Sequence, residues 1–372
     1  MVFVTFSNLW SLVYFFSFTY ITFIFCTIVY CLPTLTNKNA YSVSKNNFSF
    51  KYINSFDVLP VLVTPVLLLL IIQLLWVSPS ISAWFGHLIF SGMQLKITYL
   101  IMFTYVGVLV TFTSTSYFSS REIYDFIITI FNFFYWTVIL FMSNSIFTSI
   151  FIIEVLSTLI FLLIITSTFS TTFFYRNINF SHGHLFQQST PQTYLQSLLF
   201  FFWVSLISSL NLFLFCLFFY LKVLTLDWFL IEYVFVYLTT ISSLKDLIFI
   251  GMSWFILIFC LFLKCGIAPL YIWKPTFFKG IPFHTIFFYI CFFYFFLFVF
   301  VIHLLTSYFS EVFYFYSYVT TIFLLFGLVT LLFIVCDSYY LKSFLAISSI
   351  LNSLFVFIAL SSVHNTPVVF WM

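Results

Sequence analysis

Charged residues are scarce in this chain, which has only 9 acidic and 12 basic residues among 372 positions. Soluble domains contain about 25% charged residues, whereas here the share is 6%. So little polar surface cannot cover a globular fold in water, which excludes a soluble domain. Glycine is also rare, with 8 residues, and the sequence contains no glycine-rich loop of the kind that binds phosphates or dinucleotides.

The sequence also lacks the usual signatures of redox, hydrolytic and nucleic-acid chemistry. The cysteines form no CxxC pair, and we interpret them as small apolar residues rather than as a disulfide framework or metal site. The HGH sequence at His182 and His184 supplies two metal ligands without a third nearby, which is weak support for a metal. We therefore expect no cofactor, metal or nucleic acid on this chain, and any redox chemistry should lie on other chains.

Apolar residues are abundant instead, at 64% of the chain, and they occur in long runs. A run of about 20 apolar residues has the length of a membrane-spanning helix, so the sequence predicts an all-α polytopic membrane protein. We predict about ten transmembrane helices, with no soluble domain between them. The spans are Leu9–Leu32, Val58–Val77, Gln94–Ser114, Tyr124–Phe141, Ser145–Thr166, Tyr194–Leu221, Lys245–Pro269, Pro282–Leu305, Tyr316–Cys336 and Ser343–Val363.

Basic residues in the connections predict the orientation, because lysine and arginine favour the positive-inside compartment. Connections after even-numbered spans contain only Lys222 and Lys245. Connections after odd-numbered spans contain Lys38, Lys45, Lys51, Arg121, Arg176, Lys274, Lys279 and Lys342. The 62 phenylalanines have no evident physical role and indicate an AT-rich genome, such as a mitochondrial one. We therefore expect the odd-numbered loops to face the matrix of a mitochondrion.

The seventh span is interrupted in the sequence FLKCGIAPLYIWKPTFFKGIP, which begins at Phe262. Lys264 lies in an apolar run, and Gly266 and Pro269 follow it directly. Proline breaks or kinks a helix, and a broken helix inside a membrane must face protein or a water-filled cavity. An ionisable residue at such a break is a functional-site hypothesis by default.

Two other charged residues fall within predicted spans. Lys96 lies near the start of the third span and can extend to the membrane interface. Glu154 lies in the middle of the fifth span without a basic residue nearby in sequence. It is either a neutral carboxyl hydrogen-bonded to a neighbouring helix or the partner of Lys264 on a facing helix. His303 and His284, near the two ends of the eighth span, either transfer protons or have ordinary interfacial roles.

The stretch from Lys264 to Pro282 resembles the K-x-G-x-x-P-F-H-x-W-x-P…G-x-P signature of the antiporter-like subunits of respiratory complex I. Its sequence is most similar to that of the subunit 2 family. Sister subunits 4 and 5 remain alternatives. The resemblance covers about Ser91 to Val363. Further matching stretches are Asn144–Ser157 for the fifth helix, Gln196–Ser209 for the sixth, Asp337–Ser353 for the tenth, and Glu122 at the start of the fourth.

The resemblance implies a membrane-arm subunit of NADH:ubiquinone oxidoreductase that takes part in proton translocation across the mitochondrial inner membrane. Lys264 would be the central protonatable lysine and Glu154 its partner, while NADH, FMN, iron–sulfur clusters and ubiquinone would be bound by other subunits. The implied antiporter-like fold has three amino-terminal helices (residues 1–116), a complete first five-helix repeat with a broken seventh helix (117–306), and an incomplete second repeat (307–372). Other membrane-arm subunits and lipids would be its neighbours.

The sequence departs from the family pattern at several polar positions. Tyr271 stands where the family has histidine, Phe200 aligns with a sixth-helix lysine, and Ser343 replaces an arginine. Tyr294 aligns near the eighth-helix lysine that usually passes the proton onward. Tyr294, His303 and Lys342 are therefore possible relay residues.

The family has fourteen helices in its full form, whereas ten spans are predicted for this chain. We expect a split subunit, with a separately encoded hydrophobic chain supplying helices 11–14. Two other hypotheses remain open: a structural subunit of the same complex that has lost pumping, and an independent cation/proton antiporter.

Overall fold

A computed structural model describes residues 81–83, 86–90, 96–97, 100–101, 103–105, 120–175, 191–228, 230–231, 233–234, 237, 244–336 and 341–362. The first two predicted spans, most of the third, and the histidines at 182 and 184 lie outside the described residues. The side chains of Glu122 and His284 are likewise outside this description.

The described part of the chain is mostly helical. Its helices are α1 (Ser120–Met142), α2 (Ile146–Tyr175), α3 (Pro191–Val223), α4 (Leu244–Cys265), α5 (Trp273–Gly280), α6 (Phe283–Phe288), α7 (Phe295–Ser307), α8 (Ser310–Phe315), α9 (Ser317–Cys336) and α10 (Leu341–Ser362). A π-helical turn, Tyr289–Tyr294, joins α6 to α7.

Six segments within these helices are long and apolar enough to cross a membrane, counting only residues that the structure describes. They are Ile146–Ile165, Thr193–Val223, Ile248–Cys265, Thr285–Ser307, Ser317–Val335 and Leu341–Ser361. These segments coincide with the fifth to tenth predicted spans, so the prediction of a multi-pass helical membrane protein is confirmed. The fourth predicted span coincides with α1, in which the described side chains form the apolar segment Asn132–Met142.

A short β-hairpin precedes the helices, and no pattern in the sequence predicts it. Strand β1 (Ile81–Ala83) pairs antiparallel with β2 (Leu88–Phe90), with Ser82 opposite Ile89. Gly86 in the connection has a φ of 92°, which glycine adopts without steric cost. Strands of three residues are too short to show the alternating pattern by which strands are recognised in a sequence.

The chain divides into two compact units. One comprises residues 1–143 and 165–178, and the other comprises residues 144–164 and 179–372. The predicted boundaries near residues 116 and 306 stay predictions. The second unit contains α3 to α10 and the part of α2 that includes Glu154.

Within the second unit, the helices differ in how much of their apolar surface is covered. The spans Ile248–Cys265 and Thr285–Ser307 are 67% and 61% buried, whereas Thr193–Val223 and Ser317–Val335 are each 22% buried. The first two therefore form the centre of the unit, and the broken segment of the chain connects them. The outer helices expose large side chains such as Phe333 and Tyr318, as expected of surfaces that face lipid or other membrane chains.

Candidate functional site

The site is organised around the end of α4. Gly266 follows the last helical residue with a φ of 63°. Its N–H donates to the Leu263 carbonyl at 3.3 Å, and the N–H of Ile267 donates to the Phe262 carbonyl at 2.9 Å. These two bonds form a Schellman motif, which satisfies helix carbonyls that would otherwise lack donors. The helix therefore ends before Pro269, at the glycine, and resumes as α5 at Trp273.

The nonhelical segment between α4 and α5 is covered by protein. Ile267 and Ala268 are fully buried, and the Trp273 indole N–H donates to the Leu263 carbonyl at 3.1 Å, which ties α5 back to the end of α4. Gly327 of α9 approaches the segment so closely that a Cβ there would lie 2.7 Å from the Ala268 Cβ. This coverage meets the requirement that irregular backbone at membrane depth be enclosed by protein or line a cavity.

Lys264 and Glu154 are brought together at the end of α4. The Lys264 ammonium of α4 donates a hydrogen bond to Glu154 Oε1 of α2, which lies 110 positions earlier in the sequence. The lysine side chain is 3% exposed and the glutamate side chain 32% exposed. Ser157 Oγ lies 3.4 Å from Glu154 Oε2 as a further donor. Of the two sequence-based interpretations of Glu154, this geometry favours the pair over a neutral carboxyl bound to a neighbouring helix.

Lys274 differs most from its sequence-based interpretation. The charge pattern places it among the loop residues that set the orientation, but it is fully buried on α5. Its Nζ lies 3.5 Å from the centroid of the Tyr294 ring. A lysine enclosed by protein does not indicate which compartment a loop faces. Lys274 therefore no longer counts among the basic loop residues that support the predicted orientation. Lys279, five positions further along α5, is exposed.

The sequence contains a signal that could have identified Lys274. It precedes Phe277 and Phe278 by three and four positions, which places the three residues on one face of α5. Both phenylalanines are buried. A lysine in register with buried aromatic residues on a helix of only eight residues indicates a buried amine, and the interpretation of this segment as a loop missed it.

Tyr294 lies at the end of the π-helical turn, an irregularity that often occurs at functional sites. Its hydroxyl donates to the Ser349 carbonyl of α10 at 3.2 Å. It also interacts with the Ser353 hydroxyl. Tyr294 therefore links the broken segment, through Lys274, to α10.

His303 and Lys342 are not part of this cluster. Nine residues separate His303 from Tyr294, which corresponds to about 13 Å along a helix. The Nδ1 atom of His303 is within 3.1 Å of the Ser307 hydroxyl. Lys342, at the start of α10, donates to the Ile281 carbonyl at 2.7 Å and thereby holds the connection between α5 and α6.

The remaining predicted positions are dispersed. Tyr271 and Ser343 are buried, while Phe200 is 40% exposed on α3. Lys96 is exposed. Within the described ranges, no three residues of the types His, Cys, Asp and Glu are grouped so that they could hold a metal ion.

No protein-family model matches this sequence, and no curated protein matches it either. The site itself consists of a buried ion pair at a covered helix break, next to a second buried lysine that faces a tyrosine.

Proposed function

We propose that this chain is a proton-translocating subunit of the membrane arm of NADH:ubiquinone oxidoreductase in the mitochondrial inner membrane. The observation that supports the proposal is the pairing of Lys264 with Glu154 at the break between α4 and α5. The sequence resemblance to the antiporter-like subunits supplies the identity of the complex. The chain itself would bind no redox cofactor, and it would contribute to the enzyme as a subunit.

The chemistry follows from burial. An ammonium group that is almost fully buried depends on a nearby carboxylate for its charge, because neither ion is well solvated there. Moving or protonating Glu154 would therefore release a proton from Lys264. Bringing the carboxylate back would favour renewed uptake of a proton. Quinone reduction elsewhere in the complex would drive this cycle.

The cost of burying two charged side chains favours translocation over a purely structural role. Replacing a buried ion pair by apolar residues of similar volume is often neutral or stabilising. A subunit that served only as a scaffold would gain nothing from keeping Lys264 and Glu154 inside the membrane. We therefore place proton translocation ahead of the structural and independent-antiporter alternatives.

We also propose the antiporter-like arrangement of helices, with α1 to α7 as the first repeat. The other membrane-arm subunits, lipids and a companion chain of about four spans would be the neighbours of this chain. The exposed side of α9, which includes Ile322, Phe326 and Phe333, is a surface that such a companion would cover.

Two measurements test this function. Native gel electrophoresis of gently solubilised membranes, stained for NADH oxidation and followed by mass spectrometry, should find the chain in the NADH-oxidising band. In sealed vesicles, Lys264→Met should abolish the proton movement that accompanies NADH oxidation. Lys222→Met, at an exposed lysine near the end of α3, should leave it unchanged.

Migration of the chain away from the NADH-oxidising band would refute membership of the complex and favour an independent antiporter. Migration with that band, combined with normal proton movement in the Lys264→Met variant, would favour a structural subunit.

A further inference from the structure

Lys274 is a buried amine without an evident structural purpose. The side chain is fully buried, and no acceptor among the described residues forms a hydrogen bond with its Nζ. Burying an ammonium group without an acceptor is strongly unfavourable. A methionine would fill the same space without that cost, so packing alone does not account for a lysine at this position.

The surroundings of Lys274 connect it to the ion pair on one side. A Cβ added at Gly266 would lie 3.0 Å from the Lys274 Cδ, so the lysine stem rests against the turn that ends α4. Lys264 is two residues before that turn. Cys265, between Lys264 and Gly266 in the sequence, is fully buried.

On its other side, Lys274 faces a tyrosine ring and, through that tyrosine, α10. Its Nζ lies over the Tyr294 ring, and the Tyr294 hydroxyl donates to Ser349. The Tyr289 ring stacks on that of Tyr294 at 6.5 Å. The buried Tyr289 hydroxyl is a second polar atom for which the described residues offer no partner. Two buried polar groups in one cluster, neither hydrogen-bonded to a described residue, indicate a place where water molecules bind.

We infer that Lys274 is a second proton-carrying residue of this chain, which accepts a proton from Lys264 and passes it towards Tyr294 and α10. The inference rests on the proposed function. In the transfer, the Lys264 ammonium loses one proton and becomes an amine, while the Lys274 amine gains that proton and becomes an ammonium. The face of the Tyr294 ring stabilises the new cation. Lys274 then releases the proton to a water molecule on the side of Tyr289 and Ser353, and only N–H and O–H bonds change.

The competing explanation is that Lys274 holds Tyr294 in place through its charge. Arginine distinguishes the two roles, because its guanidinium binds aromatic faces at least as well as lysine does but is always protonated. A proton-carrying role predicts that Lys274→Arg and Lys274→Met are equally defective. A positioning role predicts that Lys274→Arg retains function and that Lys274→Met is destabilised.

The experiment uses the assembled complex in sealed vesicles and measures proton movement per NADH oxidised. Lys274→Met and Lys274→Arg should each lower the rate of proton movement about tenfold or more, as expected for loss of a proton-transferring group. Thermal stability of the Lys274→Met complex should equal or exceed that of the parent. Lys279→Met removes an exposed lysine from the same helix and should behave as the parent does.

Lys264→Met, measured in parallel, separates this inference from the proposed function. If Lys264→Met stops proton movement while either Lys274 variant retains it, the inference is wrong and the proposed function stands. If the Lys264 and Lys274 variants all assemble and move protons normally, the proposed function fails as well. If Lys274→Met does not assemble, the test depends on the assembled Lys274→Arg complex: a lowered rate of proton movement supports the inference, and a parent-like rate overturns it. Failure of both Lys274 variants to assemble would show a structural role and overturn the inference.

Discussion

Substitutions at Glu154 and Lys264 should destabilise the protein unequally, because the two side chains differ in burial. The lysine is 3% exposed and the glutamate 32% exposed. Replacing Glu154 by glutamine leaves a buried ammonium group without its counter-ion. Replacing Lys264 by methionine leaves a carboxylate that is less enclosed by this chain and that keeps the Ser157 hydroxyl as a donor at 3.4 Å. The first change should therefore cost more free energy of unfolding than the second.

The size of each effect has an upper limit, since an unpaired charge can always be neutralised. At pH 7, removing the proton from an ordinary lysine costs about 4.6 kcal/mol, and adding one to an ordinary glutamate costs about 3.7 kcal/mol. Breaking a buried ion pair typically costs about 3–5 kcal/mol. We expect about 3–4 kcal/mol for Glu154→Gln. For Lys264→Met we expect about 1–2 kcal/mol, because at pH 7 a glutamate gains a proton at lower cost than a lysine loses one and Glu154 keeps the Ser157 donor.

The assay can use two cysteines that flank Lys264. Cys260 and Cys265 are free and fully buried, so they react with a maleimide only when α4 opens. Labelling as a function of temperature, with the modified residue located by mass spectrometry, measures the stability of this region in the assembled complex. The double variant should show a coupling of about 2 kcal/mol between the two positions, within the range found for residues in direct contact.

The reasoning would be refuted if both single variants protected Cys260 and Cys265 from maleimide as well as the parent does. A coupling below about 0.5 kcal/mol, which is typical of independent sites, would refute it as well. A larger cost for Lys264→Met than for Glu154→Gln would contradict the asymmetry that we derive from burial.

Two further predictions concern the helix break. Gly266→Ala should destabilise the protein by about 1–2 kcal/mol, since an L-residue is strained at positive φ, and this should appear as faster labelling of Cys265. Gly327→Ala should cost about 1–3 kcal/mol through overpacking against Ala268 and should lower the melting temperature of the complex. Val329→Ala, at a half-exposed position of α9, is the matched control and should leave that temperature nearly unchanged.

The sequence alone determined the membrane class and the position of the helices from the fifth span onward. Helix length in a membrane depends on bilayer thickness, so the length of an apolar run is sufficient to locate a span. The helix break was also predictable, because Gly266 and Pro269 act on the backbone locally. Lys264 and Glu154 were recognisable as candidates because charges within long apolar runs are costly and therefore rare.

Tertiary structure decided which of these groups meet. The contact between Lys264 and Glu154 joins residues 110 positions apart, and no local pattern specifies which faces of two helices come together. The burial of Lys274 depends in the same way on the packing of α5 against neighbouring helices, so its charge looked like that of a loop residue. The π-helical turn that presents Tyr294 to this lysine also became visible only in the folded chain, because the apolar sequence around it is equally compatible with a regular α-helix.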